Sequence, residues 1–136
     1  MTRAAVDTGA LLALASTRDQ YHDRAVDIEA RFRLAGGRWV GTVLVLAELH
    51  GHLLRRVDPL TARRVVQSLQ SDRAFEWHDV TADLVARALD VWIGRFTDQR
   101  FSLTDAVTFE VMRREKLARA FAFDSDFVTA GFRLME

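Results

Sequence analysis

At 136 residues, with 49% apolar and 28% charged residues, the chain has the size and composition of one globular domain, not of a disordered or membrane-spanning protein. It contains no cysteine, which excludes disulfide scaffolds and thiolate-held zinc or iron–sulfur centres. Acidic and basic residues cancel at 19 each, so no bulk positive charge draws the protein to nucleic acid; all basic residues but Lys116 are arginines, whose forked guanidinium suits phosphate.

Ala4-Ala5-Val6 reads as a strand that runs directly into a helix at 8–14. The apolar run at 10–15 behind Arg3 has the outline of a signal peptide. It is short and Asp7 precedes it, so strand and helix are expected instead. A charged helix at 20–35 is closed by Gly36-Gly37, Trp39-Val40 forms a second strand, and Thr42 can cap a helix at 43–57. The first two turns of that helix are apolar nearly all round and are expected to be buried. Asp58-Pro59 ends it, and Pro59 opens another helix to residue 70. A strand at 75–80 leads to a helix from Thr81 in which Leu84, Val85, Ala88, Leu89, Trp92, Ile93 and Phe96 recur at helical spacing. Ser102 or Thr104 caps a helix to about Leu117. A strand at 120–123, a turn or short helix at Asp124 and a last strand at 132–134 follow. The alternation predicts a single α/β domain over 1–136, a three-layer α/β/α sandwich around a mainly parallel sheet of four to five strands. Ligands of such folds bind beyond the carboxyl ends of the strands.

Asp7 ends the first strand, Asp124 follows the strand at 120–123, and Asp105 lies three residues after Ser102. Each also fits a structural job, since helix caps and first turns favour carboxylates by about 1 kcal/mol. Asp126 equally suits a solvated turn. Glu48 differs, because its neighbours three and four residues away are Leu44, Val45, Gly51 and His52, with no local cation. Its charge has to be met by a raised pKa, a distant cation or a metal. Parallel strands bring Asp7 and Asp124 to one sheet edge, and a helix starting there adds Asp105. Carboxylates that converge without lysine or arginine favour a hard, oxygen-seeking cation.

The strings Val6-Asp7-Thr8-Gly9-Ala10-Leu11-Leu12, Leu46-Ala47-Glu48-Leu49, Leu103-Thr104-Asp105-Ala106 and Phe123-Asp124-Ser125-Asp126-Phe127 occur in this order over essentially the whole chain. Together they resemble the PIN-domain family, specifically the VapC-type toxin ribonucleases of bacterial toxin–antitoxin pairs. The resemblance implies an endoribonuclease of single-stranded RNA in which Asp7, Glu48, Asp105 and Asp124 are the catalytic acids and hold Mg²⁺ or Mn²⁺. Asp126 is implied as an alternative ligand to Asp124, and Thr8 or Thr104 as polar support. Gly9 departs from the pattern, since relatives often carry serine there, so a hydroxyl beside Asp7 has to come from Thr8. A cytoplasmic location and a cognate VapB-like antitoxin as partner are further implications.

The pairs Arg55-Arg56, Arg63-Arg64 and Arg113-Arg114 offer RNA phosphate contacts, Arg113 and Arg114 being the pair assigned to that role, although a solvated helix face explains such pairs too. His22, His50, His52 and His78 form no zinc pattern, and His52 is a candidate hydrogen-bond partner of Glu48. Trp92, Ile93 and Phe96 read as core, with a homodimer or antitoxin interface as the alternative. Asp124-Ser125-Asp126 after a strand resembles the nucleophile motif of haloacid dehalogenase-type phosphatases, yet only residues 127–136 follow it, too few for the later strands and lysine of that fold. The other rival is a PIN-like module that keeps its acids but only binds proteins.

Overall fold

The computed structural model describes residues 2–136. Strands β1 (Arg3–Val6), β2 (Arg38–Thr42), β3 (Phe75–His78), β4 (Arg119–Phe121) and β5 (Arg133–Leu134) form one sheet in the order β3-β2-β1-β4-β5, and every pairing is parallel. Between them run helices α1 (Thr8–Ala15), α2 (His22–Leu34), α3 (Val43–Arg56), α4 (Pro59–Ser71), α5 (Ala82–Ala88), α6 (Leu103–Arg114) and α7 (Asp126–Thr129). The element order is the one the sequence predicts.

Side chains alternate across the strands, and this splits the core in two. Ala4, Val6, Trp39 and Phe121 face α1 to α4, where Phe32 stacks on Trp39 and Trp39 on Phe121. Ala5, Val40 and Ala120 face α5, α6 and α7, against Leu84, Phe109 and Phe127. The result is the expected α/β/α sandwich. Trp92 is buried, and Ile93 and Phe96 pack against this second cluster, so the core reading of all three holds.

The chain winds outward from β1 through β2 to β3, then returns to place β4 and β5 on the other side of β1. The strand order therefore reverses at the β1–β4 pair, where loops leaving the carboxyl ends of the strands diverge and open a crevice. Asp7 directly follows β1, and Asp124 lies three residues beyond β4. Topology alone brings these two acids together.

Local chemistry moves several expected boundaries. Helix α2 closes as expected, with Gly36 at φ 75° and the Gly37 N–H donating to the Phe32 carbonyl at 3.0 Å. A Cβ on Gly37 would collide with the Phe32 ring at 2.4 Å. The helix expected from Thr81 to Phe96 is α only to Ala88; Leu89–Ile93 forms a π turn, closed by the Gly94 N–H on the Leu89 carbonyl at 2.7 Å. Helix α6 stops at Arg114 and not near Leu117, because Lys116 turns left-handed (φ 56°) and the Leu117 N–H reaches the Met112 carbonyl at 2.8 Å. The first turns of α3 are not buried all round: Val45, Leu46 and Leu49 are, whereas Val43 is 38% exposed. Ser102, not Thr104, caps α6, accepting the Asp105 N–H at 3.1 Å.

Candidate active site

A cavity of about 490 Å³ opens at the carboxyl edge of the sheet, lined by Asp7, Glu48, Asp105 and Asp124 together with Thr8, His52 and Arg56. The four acids come from the end of β1, the middle of α3, the first turn of α6 and the loop after β4. Asp7 occupies the N-cap position of α1, yet its side chain makes no capping hydrogen bond. Asp7 is therefore not a regular helix cap, although the Thr8 and Gly9 N–H groups at the start of α1 lie near enough to favour its charged form, and its carboxylate also lines the cavity. Asp105 lies in the first turn of α6, but only its backbone N–H takes part in the cap. Glu48 lies midway along α3, and among the described residues it forms neither an ion pair nor the hydrogen bond to His52 that the sequence suggests.

Electrostatics mark this group as unsatisfied. Asp7 is 7% exposed, and burial raises its carboxyl to about 6; the Thr8 and Gly9 N–H groups pull it down, but the Glu48 and Asp124 charges push it up further. Burial and the charges of Asp7, Asp124 and Glu48 raise Asp105 to about 8. No lysine or arginine bonds to any of the four among the described residues. Thr8 adds a second sign, because its buried Oγ1 has no hydrogen-bond partner. Converging carboxylates beside an orphaned hydroxyl fit a hard divalent cation with its water shell. Among the described residues, Asp105, Asp124 and Asp126 each bring an oxygen within 4.8 Å of the others, a trio that includes neither Asp7 nor Glu48, which line the same cavity at longer range. The Asp126 backbone N–H also donates to Asp124 Oδ1 at 2.8 Å, which fixes the Asp124 rotamer. Thr104 does not line the cavity; its carbonyl accepts the Thr108 hydroxyl at 3.1 Å.

Arg113 and Arg114, the pair expected to contact RNA, have a partner within the fold. Glu110 is wholly buried on α6 and accepts from Arg113 at 2.6 Å and 3.0 Å, from Arg114 at 3.0 Å and from the Trp92 indole at 3.2 Å. Burial alone would raise its carboxyl, but the Arg113, Trp92 and Arg114 bonds outweigh burial and hold it at about 2. Both guanidiniums are thus committed to an internal charge, at the end of α6 away from Asp105. The signal was readable: a glutamate in an apolar stretch with arginines three and four residues on is a helical ion-pair spacing. Another acidic group, Glu76, His78 and Glu115, already contains its cation, since Arg3 donates to both Glu76 and Glu115.

Comparison with known proteins agrees with this geometry. The PIN-domain profile matches residues 4–133. The curated 23S rRNA-specific endonuclease VapC20 of Mycobacterium tuberculosis is 45% identical over 53 residues, a match that spans 40% of that relative's length and 39% of this chain. The crystal structure of M. tuberculosis VapC20, described as a sarcin-ricin loop cleaving toxin, superposes with a TM-score of 0.82 at 30% identity and covers 95% of both chains. VapBC2 of Rickettsia felis, solved on a DNA fragment from its promoter, superposes with a TM-score of 0.68 at 12% identity, over 98% of this chain and 97% of that one. FitAcB of Neisseria gonorrhoeae gives 0.67 at 12%, over 98% and 96%. With the strand order and the crevice at its reversal, these likenesses show that the chain belongs to the PIN-domain family, in its VapC-type branch.

Proposed function

We propose that the protein is a divalent-metal-dependent endoribonuclease and the toxin of a toxin–antitoxin pair, with Asp7, Glu48, Asp105 and Asp124 as its catalytic acids and metal ligands. The observation that carries this reading is the convergence of four carboxylates, from segments far apart in sequence, in one cavity without a paired cation among the described residues. Asp126 is the alternative to Asp124 as fourth ligand. A bound Mg²⁺ or Mn²⁺ supplies charge for the phosphoryl oxygens and lowers the pKa of an attacking water.

The chain's own contribution is placement. Asp7, on the last residue before a helix, and Asp105, on the first turn of another, are held by backbone that cannot shift without moving β1 or α6. Thr8 Oγ1 is free to orient a water beside Asp7. Arg56, on the rim, offers the substrate phosphate a guanidinium not engaged in any ion pair among the described residues. The overall likeness to VapC20 supports the sarcin-ricin loop of 23S rRNA as target, and an antitoxin that closes the acidic cavity as partner follows from the VapC-type resemblance.

Purified protein incubated with a sarcin-ricin stem-loop and with an unrelated single strand, in Mn²⁺ and in chelator, tests the whole. Metal-dependent cleavage within the loop is expected. Cleavage unaffected by chelator would overturn the metal assignment, and cutting of only the unrelated strand would overturn the target.

A further inference from the structure

The rim of the acidic cavity carries an aromatic pair that the acid chemistry leaves unexplained. Tyr21 and Phe123 both line the cavity, and their rings stack with centroids 4.4 Å apart and planes within 7°. Phe123 immediately precedes Asp124, and Phe121 braces it edge-on at 6.1 Å. The guanidinium carbon of Arg24 is 6.0 Å from its ring centre. Tyr21 is covered by Phe123 on one side yet keeps 36% of its surface exposed.

The segment that presents Tyr21 is tied down. Its N–H donates to the Asp19 carboxylate at 2.8 Å, and the next residue, His22, sets a ring nitrogen 2.7 Å from the Ala13 carbonyl. A ring whose only task is to fill space has no need to keep a third of its surface in water beside an acidic cavity. A fixed, partly exposed ring at the cavity rim is what an unpaired base can stack on, because every base has a π-face and stacking needs no particular hydrogen-bond edge.

We infer that Tyr21, backed by Phe123, is a nucleobase-stacking platform that positions one unpaired nucleotide of the RNA next to the scissile phosphate, while Arg56 contacts a neighbouring phosphate. This rests on the ribonuclease reading of the cavity and deepens it. The platform makes the site a reader of single strands, since a base held between its neighbours in a duplex presents only its edges.

The test is a cycle between protein and substrate, using a short single-stranded RNA that the protein cleaves and the same strand with one abasic nucleotide walked across the cut. For the parent protein, one abasic position is expected to lower kcat/KM roughly 5- to 150-fold, the range that base–aromatic stacking spans. Tyr21→Ala is expected to lose the same factor on the intact strand and nothing more on that abasic strand. Tyr21→Phe keeps the parent behaviour. Affinity measured with Ca²⁺ in place of Mg²⁺ is expected to fall in parallel. If Tyr21→Ala melts well below the parent, Tyr21→Leu, which keeps apolar cover on Phe123 without an aromatic face, replaces it. Parent-like cleavage by the variant, or an equal loss on every abasic strand, overturns the platform and leaves the pair a brace for its loop. An inert parent protein instead sinks the ribonuclease reading, and the affinity measurement then decides the platform by itself.

Discussion

Two groups of acids lie along α6. Towards its C-terminal end, Glu110 is enclosed by Arg113, Arg114 and the Trp92 indole, which hold its carboxyl at about 2. At its N-terminal end, Asp105 faces Asp7, Glu48 and Asp124 with no paired cation among the described residues, and its carboxyl is driven to about 8. Burial opposes ionisation in both places, and the partners decide the outcome. Where the chain supplies the counter-charge, the acid stabilises the fold; where the counter-charge is left out, the fold is strained by its own negative charge and a ligand can relieve it. The same residue chemistry therefore marks structure at one end of a helix and the proposed active site at the other.

The sharpest way to break that contrast is to neutralise one acid at each end. Asp7→Asn or Asp105→Asn is expected to reduce RNA cleavage by about a thousandfold, the several kcal/mol that metal-assisted charge stabilisation provides, without lowering the melting temperature in chelator. A clear fall in that melting temperature would return both residues to a capping role. Glu110→Gln is expected to do the opposite: about 2–3 kcal/mol less stability in urea titrations and little change in cleavage. That cost lies below the loss for a fully buried pair because the two arginines are half in water.

Titration separates the two ends without mutation. Asp7 and Asp105 sit above their ordinary values, so between pH 4 and about 8 the folded protein holds protons that the unfolded chain has released, and stability falls as pH rises. Glu110 sits below its ordinary value, so its contribution is complete above about pH 4.5 and disappears as pH falls towards 2. Melts in chelator are expected to drop from pH 5 to pH 8, and Mg²⁺ is expected to remove most of that drop. A flat profile in chelator would mean that the four acids do not repel. The smallest effects concern the arginines. Arg56→Ala is expected to weaken RNA binding a few-fold and to reduce its salt dependence by about one ion. Arg113→Ala is expected to lower the melting temperature while leaving the salt dependence of RNA binding unchanged.

Much of this was legible in the sequence because it rests on local chemistry. The strand–helix alternation, the glycine stop after α2 and the proline start of α4 are encoded within a few residues of where they act. The four acids were legible by placement, since Asp7 and Asp124 follow strands that topology sets side by side. What escaped depends on distance or on backbone detail. The link from Glu110 to Trp92 spans 18 residues, and Trp92 makes it from within a π turn. The end of α6 turns on a left-handed lysine, a conformation that composition does not announce. The stacking of Tyr21 on Phe123 joins two loops from opposite ends of the chain, and the expected strand at 120–123 stops at Phe121, which frees Phe123 to make it.

The order of the strands also makes the crevice depend on the whole length of the fold. Because β4 lies on the far side of β1 from β2 and β3, the acid at position 124 reaches those at 7, 48 and 105 only through the β1–β4 pairing. A variant truncated before β4 would keep three of the four acids but lose one wall of the crevice, so the cavity is a property of the assembled sheet and of no single strand–helix unit.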